Sequence, residues 1–207
     1  MNKIYKSIII FPILILGCNP NIIEENQTTK EIKSLDLNIF SKSGDKKYTI
    51  SSPYSIYDNF KNKFQFQKTT INIFQDNQTK YIINSDESSL TRNNKVLELK
   101  GNVILKTINQ NDDYLYADNF IWDVDNTNYL LTGNIKFENE NVILTSSKAR
   151  MGSDNIIEFF NPVKYIIKDE NNENKYETNS ENAFYDIDQE SLSFKAVDNR
   201  VSSKIYF

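Results

Sequence analysis

The sequence repeats itself at the period of a β-strand, and that repetition limits the fold more than any other feature. Lys95-Val96-Leu97-Glu98-Leu99-Lys100-Gly101-Asn102-Val103-Ile104-Leu105 returns 32 residues later as Thr127-Asn128-Tyr129-Leu130-Leu131-Thr132-Gly133-Asn134-Ile135-Lys136-Phe137. A third copy runs from Ile157 to Tyr165, and a weaker fourth from Leu192 to Val197. A shorter strand-like run precedes each copy: Ser85–Leu90, Ala117–Asp123, Ser147–Met151 and Ser180–Asp186. Turn-forming residues join the pairs, as at Asp125-Asn126, Ser153-Asp154-Asn155 and Asp188-Gln189-Glu190. Within the runs apolar and polar residues alternate, the period at which an extended chain points side chains to opposite faces. Aromatic and β-branched residues dominate them, and no window sustains a helical period. The repeating unit is a β-hairpin, present about four times, and the predicted class is all-β.

Gly101 and Gly133 stand at the same point of two runs that otherwise read as continuous strands. A glycine there marks a bulge, a bend or a close backbone approach. Pro162 falls beside the equivalent point of the third copy, where a lost N–H is tolerable at a bend. Each long strand is therefore expected to bend at one level, as a sheet must to curl around an interior.

Alternation assigns the faces. Leu97, Leu99, Val103 and Leu105 share one face of the first copy, Tyr129, Leu131, Ile135 and Phe137 of the second, and Ile157, Phe159, Val163 and Tyr165 of the third. The short runs add Phe120 and Trp122, Ala149 and Met151, and Ala183 and Tyr185. Glu98, Lys100, Lys136, Glu138, Glu158 and Lys164 take the opposite face and belong in water. The apolar face is either a filled sandwich core or the wall of a groove for acyl chains. The sequence leaves both open.

The N-terminus reads as an export signal. Lys3 and Lys6 precede a nine-residue apolar stretch, Ile8–Leu16. That is the length of a signal-peptide core and well short of the roughly 20 residues of a membrane span. It ends in Ile15-Leu16-Gly17-Cys18, which resembles the lipobox of bacterial lipoproteins and makes Cys18 the expected acylation site; the alternative is a short hydrophobic anchor. The expected organisation is a signal peptide or anchor over 1–17, a polar tether over 18–34 and a β domain over 35–207. Cys18 is the single cysteine, so no disulfide joins the domain.

The formal charge of −4 and the absence of a basic cluster exclude nucleic acid as the main partner. With no histidine, no further cysteine and no phosphate-binding or metal-ligand motif, no catalytic centre, cofactor or metal site is expected. Few, divergent hairpins with one apolar face also fit a structural or adhesive repeat protein less well than a lipid-binding lipoprotein.

The motif built from Ala117-Asp118-Asn119-Phe120-Ile121-Trp122-Asp123 and Leu97-Glu98-Leu99-Lys100-Gly101-Asn102-Val103 resembles the OstA/LptA/LptC group of lipopolysaccharide-transport proteins. Ser43–Ser51 and Thr70–Tyr81 look like the opening strands of the LptC family, with Tyr48-Thr49 at the start of the first. The resemblance implies an open, twisted β-jellyroll of antiparallel hairpins in the periplasm, attached to the inner membrane by its N-terminus. It implies that the protein receives lipopolysaccharide from an inner-membrane ABC transporter (an LptBFG-like complex) and shelters the acyl chains inside. Its partners would then be that transporter and LptA-like jellyrolls, joined by edge-strand pairing. Two features depart from the LptC pattern: Cys18 in place of a retained helix, and an additional hairpin around Lys175 to Phe194. The second leaves room for an LptA-like or combined bridging role.

Overall fold

The computed structural model describes residues 29–206 apart from 92–94, 109–112, 127, 153, 155, 161, 172, 187, 188, 190 and 199. Every element among them is a strand: β1 Thr29–Phe40, β2 Lys46–Asp58, β3 Lys63–Gln75, β4 Gln78–Thr91, β5 Val96–Thr107, β6 Tyr114–Asp123 and β7 Asn128–Glu138. They continue as β8 Val142–Met151, β9 Ile156–Phe160, β10 Val163–Lys168, β11 Asn174–Ser180, β12 Asn182–Asp186, β13 Ser191–Lys195 and β14 Ser202–Ile205. All belong to one antiparallel sheet, in which β1 to β8 follow in chain order. This is the all-β class that the repeated hairpins predict, in the open jellyroll form that the resemblance implies.

The long strands bend where the repeat places its glycines. Gly101 and Asn102 both have positive φ (72° and 45°), as do Gly133 and Asn134 (75° and 47°). The left-handed region favours glycine and tolerates asparagine. The neighbouring strand contributes an aspartate at each bend: Asn102 Nδ2 donates to Asp86 Oδ2 at 2.7 Å, and Asn134 Nδ2 to Asp118 Oδ2 at 2.9 Å. A Cβ on Gly101 would stand 2.8 Å from that same Asp86 oxygen. The two earlier odd-numbered strands bend at the same level, with positive φ at Ser34 and Lys68. The ladder slips there between β4 and β5, β5 and β6, β6 and β7, and β7 and β8. The result is a crease across the sheet that divides it into two lips.

Small residues line the crease on the even-numbered strands: Ser52, Ser85, Ala117 and Ser146, each buried. The hydroxyls of Ser52, Ser146 and Ser180 lie 2.7, 3.0 and 2.8 Å from the carbonyl oxygens two residues further on. The bend thereby satisfies carbonyls that the ladder no longer reaches.

Three expectations are revised. The run from Ile157 to Tyr165 is not one bent strand. It is β9 and β10, separated at Pro162, which has no N–H to carry a ladder onward. β8 therefore pairs with two strands, Val142–Thr145 with β10 and Lys148–Met151 with β9. From there the lips run separately, one as β9-β12-β13 (the front lip) and the other as β10-β11-β14 (the back lip). The first strand begins at Thr29, inside the segment expected as tether, because main-chain pairing of Thr29–Lys33 with Tyr54–Asp58 extends the ladder whatever the side chains. Tyr48-Thr49 accordingly lies in β2, not at the start of the first strand. The signal peptide and Cys18 lie outside the described residues.

Candidate functional site

The inner faces of the lips are ladders of side chains in register. Nearest the crease on the front lip, Leu99 faces Phe120, then Leu131, Ala149, Phe159, Ala183 and Phe194 on successive strands. Toward the rim the next ladder holds Leu97, Trp122, Tyr129, Met151, Ile157, Tyr185 and Leu192. On the back lip, Ile50, Ile71, Ile83, Leu105, Leu115, Phe137, Leu144 and Tyr165 form one continuous row. From Leu131 onward large and small residues alternate along the front ladder.

Every interior residue expected from the alternation except Met151 joins this one cluster. Leu97, Leu99, Val103, Phe120, Trp122, Leu131, Ile135, Phe159 and Val163 are buried; Leu105, Tyr129, Phe137, Ile157 and Tyr165 are half-buried against them. The lips meet through aromatic pairs. Tyr48 packs on Trp122 with ring centroids 4.9 Å apart, Phe137 on Tyr185 at 5.9 Å, and Tyr165 on Phe194 at 5.4 Å. Such pairs contribute about 0.5–1.5 kcal/mol each beyond their buried area.

The N-terminal third of the interior escaped the sequence reading. Tyr48, Ile50, Phe66, Ile71, Ile83 and Leu90 are buried in the same cluster. These strands lack the Gly-Asn signature that aligned the later copies. Their alternation, as in Tyr48-Thr49-Ile50 or Ile71-Asn72-Ile73, was the signal available.

Burial governs the electrostatics inside. It pushes the Tyr48 hydroxyl up to about 12, with Asp125 adding to the effect, and the Tyr129 hydroxyl up to about 12, with Tyr81 adding. Three interior polar atoms have no hydrogen-bond partner among the described residues: Ser55 Oγ, Ser85 Oγ and Trp122 Nε1. The outer face carries the charges, paired along the ladders. Lys136 pairs with Glu138, Arg150 with Glu158 at 2.6 Å, and Lys164 with Glu177 at 3.1 Å. A concavity of about 260 Å³ lies outside the front lip, between Tyr54, Lys63, Gln65, Glu87, Glu98 and Lys100, and not in the interior. Among the described residues no group of His, Cys, Asp and Glu could hold a metal ion, and no helix is long and apolar enough to cross a membrane.

Among the described residues the sheet ends in unpaired edges: β1 pairs only with β2, β13 only with β12, and β14 only with β11. β14 is exposed along its whole length.

A creased, open sheet with an apolar interior and free edges agrees with the comparison to known families. The family model described as Lipopolysaccharide-assembly, LptC-related matches residues 15–151, which takes in all of β1 to β8. No curated protein matches the chain. Since the match spans well over half of the 207 residues, the chain belongs to the LptC-related family and takes part in lipopolysaccharide transport.

Proposed function

We propose that this protein stands in the periplasm, attached to the inner membrane by its N-terminus. There it receives lipopolysaccharide from an inner-membrane ABC transporter and passes it toward the outer membrane, acyl chains held between its lips. The observation that carries this reading is the gathering of the alternating apolar side chains of β2 to β13 into one interior cluster of an open sheet. An open sheet can part its lips where a barrel cannot. Phe137–Tyr185 and Tyr165–Phe194 are aromatic contacts that an incoming acyl chain would replace with contacts of its own. The chemistry asked of the protein is sheltering and transfer, not bond making.

The edges supply the relay. Unpaired main-chain groups on β1 are suited to a strand of the transporter's periplasmic domain, and those at the β13 and β14 end to an LptA-like jellyroll. Attachment through an acylated Cys18 would hold the domain beside the transporter.

A second reading, in which the chain also does the bridging work of an LptA-like protein, draws support from the strands after the family match. β9-β12-β13 and β10-β11-β14 lengthen each lip by three strands, roughly 14 Å at about 4.8 Å per strand. Isolation of the full chain from its native membrane separates the readings. Intact lipopolysaccharide and an ABC transporter complex should accompany it, with or without a separate LptA-like protein. Recovery without lipopolysaccharide or transporter would contradict both.

A further inference from the structure

The interior changes character along its length. Under β2 to β4 the crease and the adjoining front ladder carry five buried hydroxyls, Ser52, Ser55, Thr69, Ser85 and Ser88, with Phe66 between Ser55 and Ser88 in the ladder. From β5 to β7 the same two rows read Leu99, Phe120 and Leu131, and Val103, Ala117 and Ile135. A chain lying along the interior would pass from a hydroxyl-lined stretch to a hydrocarbon one.

Three of the five hydroxyls are accounted for inside the fold. Ser52 Oγ is 2.7 Å from Tyr54 O and from Gln67 O, and Thr69 Oγ1 is 2.7 Å from Ser88 Oγ. Ser55 (0% exposed) and Ser85 (6%) are buried and have no partner. A buried hydroxyl without a partner is unfavourable, and the molecule itself shows that neither is needed to build the sheet. Ala117 takes the place of Ser85 in the next repeat, beside an identical aspartate–Gly-Asn crossing at Asp118, Gly133 and Asn134. Ala149 and Ala183 take the place of Ser55 in β8 and β12. The fold accepts alanine at both positions, yet places hydroxyls where they face the interior.

We propose that the stretch under β2–β4 is a hydrogen-bonding subsite, in which Ser55 and Ser85, two strands apart, each offer a hydroxyl to an oxygen borne by an acyl chain. That oxygen is the hydroxyl of a hydroxylated acyl chain. The inference rests on the reading of the interior as a lipid path and adds a preference to it. The O–H of either serine donates to an acyl-chain oxygen within its reach when the lips part, and the remaining hydrocarbon runs on beneath β5 and beyond.

Displacement of a fluorescent fatty acid from the full-length protein by tetradecanoate and by 3-hydroxytetradecanoate tests this. The protein should bind the hydroxy acid about 3–10-fold more tightly, the worth of one neutral hydrogen bond. The Ser55→Ala/Ser85→Ala variant should bind the two acids equally and retain its affinity for tetradecanoate. A thermal melt no lower than that of the parent would verify that the variant folds. Equal binding by the parent, or a preference that survives in the variant, overturns the subsite. If lipopolysaccharide displaces the probe while neither acid does, the subsite fails and the lipid path stands. If lipopolysaccharide fails as well, both fall.

Discussion

Single residues set the crease. Gly133 has φ +75° and the Asp118 carboxylate stands where its Cβ would go, whereas Gly44 has φ +93° with nothing within 4 Å of a Cβ. Gly44→Ala should therefore cost the backbone strain alone, about 1–2 kcal/mol, and Gly133→Ala clearly more, in urea denaturation of the two variants. Equal losses would mean that the aspartate contact at the crease carries no weight. The buried tyrosines give a second expectation. Their hydroxyls titrate above the ordinary 10.0, so the folded state holds its protons while the unfolded chain loses them. Their contribution is complete below pH 10 and is lost as pH rises toward about 12. Melting temperature should fall across that window, and Tyr48→Phe or Tyr129→Phe should flatten the fall; an unchanged slope would place the hydroxyls in water. At the N-terminus, Cys18→Ser should abolish leader cleavage and lipid labelling, and normal processing of that variant would refute acylation.

At the scale of the element, hairpin repetition and the paired glycines announced both the strands and the level at which they bend. Alternation named the inward side chains correctly because a strand's period is two and a slip of one residue would expose the whole set. The forking of the sheet after β8 was less legible. Pro162 marks a break, but the destinations of β9 and β10 depend on partners far along the chain, in β12 and β11. The aspartate behind each Gly-Asn lies 16 residues earlier, on a neighbouring strand, and nothing local announces that contact. The polar start of β1, Thr29–Ser34, escaped for a related reason: this edge segment is held by main-chain bonds to β2, which leave no mark on composition. Contact between the lips is itself measurable. Tyr165 and Phe194 are on opposite lips with ring centroids 5.4 Å apart. A double-mutant cycle with alanine at both should return a coupling of about 0.5–1.5 kcal/mol in urea denaturation. Zero coupling would mean that the lips do not touch at this end.

For the molecule as a whole, family membership and architecture point the same way: a sheet with an apolar inside, an ion-paired outside and edges left open at both ends. The interior is packed in this structure, so on the proposed lipid path lipid would displace side chain from side chain as the lips separate. On that path the same residues would serve as core when the lips are closed and as lining when they are apart. The half-buried aromatics Phe137 and Tyr165 face this interior, whereas Glu98 and Lys136 occupy the outer face. A photo-activatable phenylalanine analogue replaces an aromatic ring with little change of shape, so it can be placed at Phe137 or Tyr165 in cells and irradiated there. Lipopolysaccharide should be captured at Phe137 and Tyr165 and not at Glu98 or Lys136; capture only at the outer positions would contradict an interior lipid path.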